Sequence, residues 1–405
     1  MTGSTYNKEQ LAAKLYSSIQ PFLFYSQLLC SAPYPVAMLQ SSCHRSLVYQ
    51  SNFKLARCFL TTSLMVCIAL CNLEGVIAMV SVSLPFFTAT LYFNVMVANV
   101  AVSVLSVARS YKKDEAYDRF LQKLLTIACA LHENEWETLL PYLRRRLQCV
   151  CALLATLFAS ALACDFVHYG SIYSTLFTLV AFVMPNVLVA LSLLQYAYGV
   201  LLIYQLLQRF NRRLAIREQT PESELVQWIA QSESYYLQLA SCIEHIAQSF
   251  GPLIVVNTFA VITVISLTLL EIYQYLQIND LKPIFILYNL MWSSMLCVLL
   301  VLPLYPNHLL KQEQTRLGTL VFEAFPEGHD SHGERRITRF GMLTLIRKDV
   351  SVTACGIFKL DMSLLSSIFA ALLSFVIILI QFDKANLNKH SDAVTVVEGL
   401  YNSKF

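Results

Sequence analysis

The chain alternates between long apolar runs and shorter stretches that carry most of its charges. A helix that crosses a membrane requires about 20 mostly apolar residues, and seven runs approach or exceed that length. We therefore predict an all-α membrane protein with a single seven-helix transmembrane domain over residues 1–405. The predicted spans lie at about residues 56–74, 75–108, 147–166, 171–208, 246–271, 283–307 and 360–382.

The fourth apolar run, Phe166–Gln208, is long enough for one helix or for two helices that turn at Met184–Asn186. Positive charges decide between these options, because loops on the cytosolic side of a membrane carry an excess of Lys and Arg. With one helix in this run, 25 of the 29 Lys and Arg residues fall on the same side. This distribution favours one long helix with a kink at Pro185, and it predicts a cytosolic N-terminus and an extracellular C-terminus.

Helical periodicity continues beyond the cytosolic ends of several spans. Apolar residues recur at three- and four-residue spacing in Asp118–Leu131 and Tyr235–Phe250, for example. These helices are predicted to continue below the membrane as a cytosolic anchor region, or alternatively to lie along the lipid surface. Residues 308–352 are predicted to form a cytosolic loop. The segment Ile19–Pro35 is predicted to lie at the membrane edge or to re-enter it, with an eighth span as the alternative.

The composition agrees with a membrane location and excludes several classes of protein. Hydrophobic residues make up 56% of the chain and charged residues only 14%, whereas soluble domains carry about 25% charged residues. Away from their ends the spans contain no charged side chain, although ion-coupled transporters and proton pumps usually require one. No span holds a pair of carboxylates, and no phosphate-binding glycine loop is present. We expect neither an enzyme nor a nucleic-acid partner, and no catalytic residue, metal ion or cofactor.

The seventh run ends with the stretch SFVIILIQF, Ser374–Phe382. This stretch consists of a hydroxyl residue, an aromatic residue, five apolar residues and Gln-Phe. The pattern resembles the end of the last helix in the arthropod gustatory receptor family. The preceding Ala354–Leu365 and the N-terminal Ile19–Pro35 are also similar to that family. Two positions depart from the family pattern, because Ser374 stands in place of threonine and Phe375 in place of tyrosine. The second change removes a hydroxyl group.

The resemblance implies a ligand-gated cation channel of four subunits, with the seventh helix of each subunit around one central pore. Ile378 and Gln381 are three residues apart and share a helix face. A ring of Ile378 side chains would close such a pore by excluding water, and a ring of Gln381 amides would contact cations with little selectivity. Alternatively, Gln381 is simply solvated at the level of the lipid headgroups. The candidate pore and gate residues are Ser374, Phe375, Ile378, Gln381 and Phe382.

Aromatic and polar residues collect at the predicted outer ends of the second to sixth spans. Such residues often form an interfacial belt, but together they would also line a cavity with apolar walls and a few hydrogen-bonding groups. Flat rings with a polar tip suit either a sugar or an aromatic bitter compound, and the sequence leaves that choice open. The candidate ligand-binding residues are Phe86, Tyr92, Asp165, His168, Tyr173, Tyr288 and Trp292.

These observations predict a gustatory receptor, that is, a tastant-gated non-selective cation channel in the plasma membrane of a sensory neuron dendrite. The expected partners are a small-molecule tastant (a bitter compound or a sugar), the lipid bilayer, and other subunits in a homotetramer or in a heteromer with other gustatory receptors. Two alternatives stay open. One is an accessory gustatory receptor subunit that needs a partner to conduct ions, and the other is a multi-pass membrane transporter.

Overall fold

The computed structural model of the protein describes residues 13–15, 26, 29, 47–81, 86–111, 115–128, 133–216, 222–276, 283–323, 352–378 and 380–381. Apart from Ser26 and Leu29, the segment Ile19–Pro35 therefore lies outside the described residues, as do residues 324–351 of the predicted loop. Among the candidate site residues, Phe382 and the side chain of Phe86 also lie outside them.

Helices account for nearly all of the described residues. In chain order they are α1 (Leu47–Ser81), α2 (Phe86–Tyr111), α3 (Glu115–Ala128), α4 (Glu133–Tyr169), α5 (Ile172–Thr178), a π turn (Leu179–Val183), α6 (Met184–Ile216), α7 (Glu222–Leu276), α8 (Pro283–Glu323) and α9 (Met362–Ile378). Between α8 and α9 lies a short hairpin of β1 (Thr353–Ala354) and β2 (Phe358–Lys359).

Six stretches of helix are long and apolar enough to cross a membrane, and α9 is a shorter apolar helix. The prediction of a nearly all-helical, multi-pass membrane fold is confirmed. The side of the membrane on which each loop lies stays a prediction, and below we use "inner" for the predicted cytosolic side and "outer" for the opposite side. The six stretches are Phe59–Ile77, Ala89–Arg109, Trp136–His168, Ile172–Arg213, Ser232–Tyr273 and Pro283–Leu320.

The helix α6 runs through the centre of the bundle. Its buried side chains lie on several sides of the helix, and Leu193, Val200 and Ile203 have no exposed surface. A helix that is apolar all round is stable only when neighbours cover it, and α2, α4, α7 and α8 all pack on α6. The central position of α6 therefore follows from the almost uniformly apolar sequence of the fourth run.

The boundary between the first two predicted spans differs from the structure. We placed it after residue 74, where the charge of Glu74 interrupts the apolar sequence. Instead α1 continues to Ser81, and α2 begins at Phe86. The charge does not end the helix, because the Glu74 carboxylate accepts a hydrogen bond from the Tyr173 hydroxyl at 2.7 Å.

The fourth apolar run forms one helical segment rather than two antiparallel helices. It is separated from α4 at Gly170, whose φ of +63° is a left-handed conformation that glycine adopts without strain. The expected irregularity at Pro185 lies just before it, as the π turn Leu179–Val183. Proline lacks an N–H group and its ring collides with the preceding helical turn, so a wider turn at this place accommodates it.

Residues 308–323 belong to α8, which corrects the predicted cytosolic loop 308–352 in its first part. We ended the span where charged residues begin to appear. The charges lie on a helix that continues beyond the apolar run, because Leu310 and Leu317 are fully buried on one side of it. Their seven-residue spacing keeps them on the same helix face.

A polar contact joins the inner halves of α6 and α8. The Glu313 carboxylate accepts hydrogen bonds from Asn211 Nδ2 at 2.9 Å and from Gln208 Nε2 at 3.4 Å. Both Glu313 and Asn211 are buried, with exposed fractions of 7% and 0%. Arg316 Nη1 lies 3.7 Å from the same carboxylate. Because the Asn211 N–H groups and the Glu313 carboxylate are paired with each other in this arrangement, the contact favours one alignment of the two helices.

The hairpin before α9 was not anticipated from the sequence. Its two strands pair antiparallel, and Cys355 and Gly356 in the turn have positive φ angles of 52° and 73°. The hairpin packs on α7 at Gly251, where an added Cβ atom would lie 3.1 Å from Cys355 Sγ and 3.2 Å from the Cys355 backbone nitrogen. Glycine at position 251 therefore permits the close approach of the chain that leads into α9.

We expect Gly251→Ala to loosen this attachment and to lower stability by about 1 kcal/mol. Overpacking costs about 1–3 kcal/mol, which exceeds the gain of about 1 kcal/mol from replacing a helical glycine by alanine. Thermal unfolding of the purified protein in detergent measures the effect. Gly318→Ala in α8 is the matched control, because an added Cβ atom there meets no atom within 4 Å. Equal melting temperatures for the two variants would contradict the close approach.

Candidate functional site

The last helix, α9, attaches to the bundle along one face. Ile368 and Leu372 are 6% and 3% exposed on that face, and Leu360 is buried just before the helix begins. The four-residue spacing of Ile368 and Leu372 places them on the same helix side. The subunit leaves the rest of the α9 circumference largely uncovered.

One part of the uncovered surface is a stripe of mostly polar residues, which we term the polar stripe. Ser367, Ser374, Ile378 and Gln381 are all exposed, and their spacings of seven, four and three residues place them on one side of the helix. The hydroxyl groups of Ser367 and Ser374 donate to backbone carbonyl groups one turn earlier in α9. Ile378 is the one large apolar side chain among these four and is 46% exposed. Phe375, beside the stripe, is 40% exposed.

A second uncovered surface of α9 carries large apolar side chains. It contains Phe369, Leu373 and Ile377, which are 50%, 63% and 55% exposed and follow one another at four-residue spacing. This surface matches lipid or another apolar helix. The helix α9 therefore carries two chemically different exposed surfaces, the polar stripe and this apolar one.

The inner end of α9 is fixed by Asp361. Its carboxylate accepts a hydrogen bond from the Ser363 backbone N–H at 3.0 Å and pairs with Lys311 of α8 at 2.8 Å. Partial burial raises the pKa of Asp361, but hydrogen bonds from Lys311 and Ser363 outweigh that effect and lower the pKa to about 2. Asp361 therefore stays ionised at physiological pH, and the ion pair between α8 and the start of α9 persists there.

Aromatic side chains meet at the outer end of the bundle. His168 of α4 stacks on Tyr288 of α8, with ring centroids 5.6 Å apart and planes 14° from parallel. Tyr288 contacts Trp292 edge-on at 6.4 Å, and Trp292 contacts Phe182 of the π turn at the same distance. We term these four residues the outer aromatic cluster. It brings together three of the seven predicted ligand-binding residues.

Polar groups adjoin the outer aromatic cluster. Asp165 lies one turn before His168, is fully buried, and accepts a hydrogen bond from the Thr178 hydroxyl at 3.1 Å. Trp292 is 8% exposed, and its indole N–H has no hydrogen-bond acceptor within the described part of the chain. Because a buried donor without an acceptor costs free energy, this N–H is suited to a polar atom of a ligand.

The two remaining predicted tyrosines lie outside the cluster. The Tyr92 hydroxyl donates to the Glu271 carboxylate between α2 and α7. Tyr92 packs on the same small apolar core as Phe182, which makes it a neighbour of the cluster. Tyr173 is 67% exposed and donates to Glu74 of α1, so it does not contribute to the cluster.

Sequence reasoning did not select Phe182, and it noted Glu271 at the outer end of a span without including it in the final set of ligand-binding residues. Phe182 lies within a long apolar run, where nothing in the sequence distinguishes it from its neighbours. Glu271 did carry a signal, because a carboxylate at the end of a charge-free run requires a polar partner. No group of three or more His, Cys, Asp or Glu side chains in the described ranges is arranged to hold a metal ion.

Comparison with known proteins gives a family and a fold. The profile of the 7tm chemosensory receptor family matches residues 19–386. The structure of the insect olfactory receptor OR5 from Machilis hrabei is similar, with a TM-score of 0.64 and 10% identity over 90% of this chain and 99% of that chain. The complex of OR5 with eugenol gives a TM-score of 0.64 and 12% identity over 91% of this chain and 99% of that chain. No match was found among curated proteins.

Proposed function

The chain belongs to the 7tm chemosensory receptor family, and from this premise we propose that it is a gustatory receptor that opens a non-selective cation pore when a small tastant binds. It would act in the plasma membrane of a sensory neuron dendrite, as a homotetramer or as a heteromer with other gustatory receptors. The gustatory assignment is supported by the resemblance of Ser374–Phe382 to the end of the last helix in that family.

The observation that carries the proposal is the polar stripe of α9. The Ser367 and Ser374 hydroxyls already donate to backbone carbonyls of α9, but an exposed amide such as that of Gln381 is unfavourable against lipid, because hydrocarbon offers it no hydrogen-bond partner. A central water-filled path between subunits supplies such partners. In that arrangement Ser367, Ser374 and Gln381 line the path, and Ile378 narrows it with an apolar ring. The apolar surface around Leu373 then faces lipid or a neighbouring subunit.

The proposed tastant site is the outer aromatic cluster with Asp165 and Trp292. Stacked rings provide apolar walls, and the indole N–H and the carboxylate provide polar groups that orient a ligand. OR5, which shares the fold, has a structure in complex with eugenol, an aromatic compound with a polar group. An aromatic bitter compound or a sugar fits the same combination of flat ring surfaces and hydrogen-bonding groups.

We expect Trp292→Phe to weaken activation by ligand about fivefold in half-maximal concentration. The change keeps an aromatic ring but removes the indole donor, and one hydrogen bond is worth about 1 kcal/mol. The measurement is patch-clamp recording of cells that express this chain, with a panel of sugars, aromatic bitter compounds and eugenol. Tyr173→Phe is the matched control, because it removes a hydroxyl outside the cluster and should leave the response unchanged.

The recordings also separate the alternatives. Ligand-evoked single-channel steps from the chain alone support a homomeric receptor, whereas steps that require a co-expressed gustatory receptor identify an accessory subunit. Substrate flux without channel steps would indicate a transporter and overturn the proposal. If Trp292→Phe and Tyr173→Phe respond alike to every active compound, the tastant site lies elsewhere in the bundle.

A further inference from the structure

A second feature of the bundle lies away from the outer aromatic cluster and from α9. A cavity of about 390 Å³ is enclosed by α4, α6 and α8. Its walls are almost entirely aliphatic and include Leu147, Val150, Leu194 and Leu201. Leu153 and Tyr305 at its edge are 48% and 44% exposed, so the cavity opens sideways, toward the lipid that surrounds the bundle.

The cavity has the depth of one membrane leaflet. Along α4 it extends from Leu143 to Leu153, a distance of about 15 Å at 1.5 Å per residue. The hydrocarbon core of a bilayer is about 30 Å thick, so this length corresponds to half of it. The charge distribution places the Leu143 end at the cytosolic face and the Leu153 end near the middle of the membrane.

The inner mouth of the cavity is basic. Arg146 lines it, and Arg144 and Arg145 precede it on α4, all three with exposed side chains. The Arg146 guanidinium lies 4.9 Å above the Tyr142 ring, which holds the charge beside the mouth. Guanidinium groups at this depth meet the phosphates of lipid headgroups, and the cytosolic leaflet is rich in anionic lipids.

We propose that this cavity is a binding site for one anionic phospholipid of the cytosolic leaflet. An acyl chain occupies the space between α4, α6 and α8, and the headgroup phosphate pairs with Arg146. The aliphatic walls offer no hydrogen bonds to a polar solute, so an alkyl chain is the occupant that they suit. The cavity would accept an acyl chain, and the guanidinium at its inner mouth would favour an anionic headgroup. Together they would select an anionic phospholipid over the other lipids of the bilayer.

The test uses the full-length receptor in nanodiscs that contain phosphatidylserine and phosphatidylcholine. Native mass spectrometry measures the ratio of the two lipids retained per subunit. Arg146→Gln is expected to lower the phosphatidylserine preference about fivefold, the effect of one basic residue near a lipid headgroup. Arg144→Gln removes the same charge from the same helix, but Arg144 does not line the cavity, so this variant is expected to lower the preference less than Arg146→Gln does.

A second variant tests the apolar part of the site. Val150→Trp places a large ring in the cavity and is expected to reduce retention of lipids of both types, while the melting temperature in lipid-free detergent shows that the variant folds. Soluble glycerophosphoserine, which has the headgroup without acyl chains, is expected not to compete. Equal effects of Arg146→Gln and Arg144→Gln, undiminished lipid retention by Val150→Trp, or competition by glycerophosphoserine would each overturn the proposal.

Discussion

Replacing Ile378 by alanine is expected to raise the current in the absence of ligand about tenfold. Ile378 is the large apolar member of the polar stripe and is 46% exposed in the subunit. If four such side chains close a pore by excluding water, each substitution removes three carbon atoms from the closed constriction. Each buried carbon atom stabilises the closed state by about 0.8 kcal/mol. A tenfold change in the closed–open equilibrium needs only about 1.4 kcal/mol, so even part of this loss is sufficient.

Basal current normalised to surface expression measures the effect. Leu373→Ala is the matched control, because Leu373 is 63% exposed on the apolar side of the same helix. Gln381→Ala is expected to alter single-channel conductance rather than basal current, since the amide contacts ions instead of excluding water. If Ile378→Ala leaves basal current at the level of Leu373→Ala, the apolar constriction lies at another position.

The second large effect is expected at the contact between the inner halves of α6 and α8. Glu313→Ala should lower the free energy of unfolding by about 3 kcal/mol. The change removes two hydrogen bonds to a charged acceptor and leaves part of the Asn211 amide buried without its partner, and each such loss costs about 1–3 kcal/mol. Asn211 has no exposed surface, so water cannot replace the carboxylate without a rearrangement.

Chemical unfolding of the purified receptor in detergent measures this loss. Glu313→Gln keeps the shape and one acceptor oxygen, and it should cost less than Glu313→Ala. Glu115→Ala serves as a surface control, because the Glu115 side chain is 72% exposed and pairs with the exposed Arg119, a contact worth at most about 1 kcal/mol. A loss for Glu313→Ala no greater than that for Glu115→Ala would show that the buried contact adds little stability.

The fold could be predicted from the sequence wherever burial follows from an apolar run. One long helix was predicted for the fourth run, because this choice places 25 of the 29 Lys and Arg residues on the same side of the membrane. The errors occur where a charged residue has a partner. The predicted spans ended at Glu74 and before Glu313, but both residues lie within helices and accept hydrogen bonds from residues of other helices. Such partners lie 99 and 102 residues away in the chain, beyond the reach of local patterns.

The candidate site shows the same division. The shared face of Ile378 and Gln381 follows from helical spacing alone, and the structure leaves both residues exposed. Tyr173 and Tyr288 looked equivalent in sequence, each near the outer end of a span. Their tertiary contacts distinguish them. The Tyr173 hydroxyl donates to Glu74 of α1, whereas the Tyr288 ring stacks on His168 of α4.

The π turn at Leu179–Val183 has a consequence for how such a receptor diverges. A π turn holds one residue more than a regular helix, so deletion of a single codon within it would restore an ordinary α-helix. The segment before the turn would then rotate by about 100° relative to α6, and Phe182 would change its neighbours. The inner half of the bundle would keep its sequence and its alignment. One mutational step would thus alter the packing of the outer aromatic cluster, the proposed tastant site, and leave the proposed ion path unchanged.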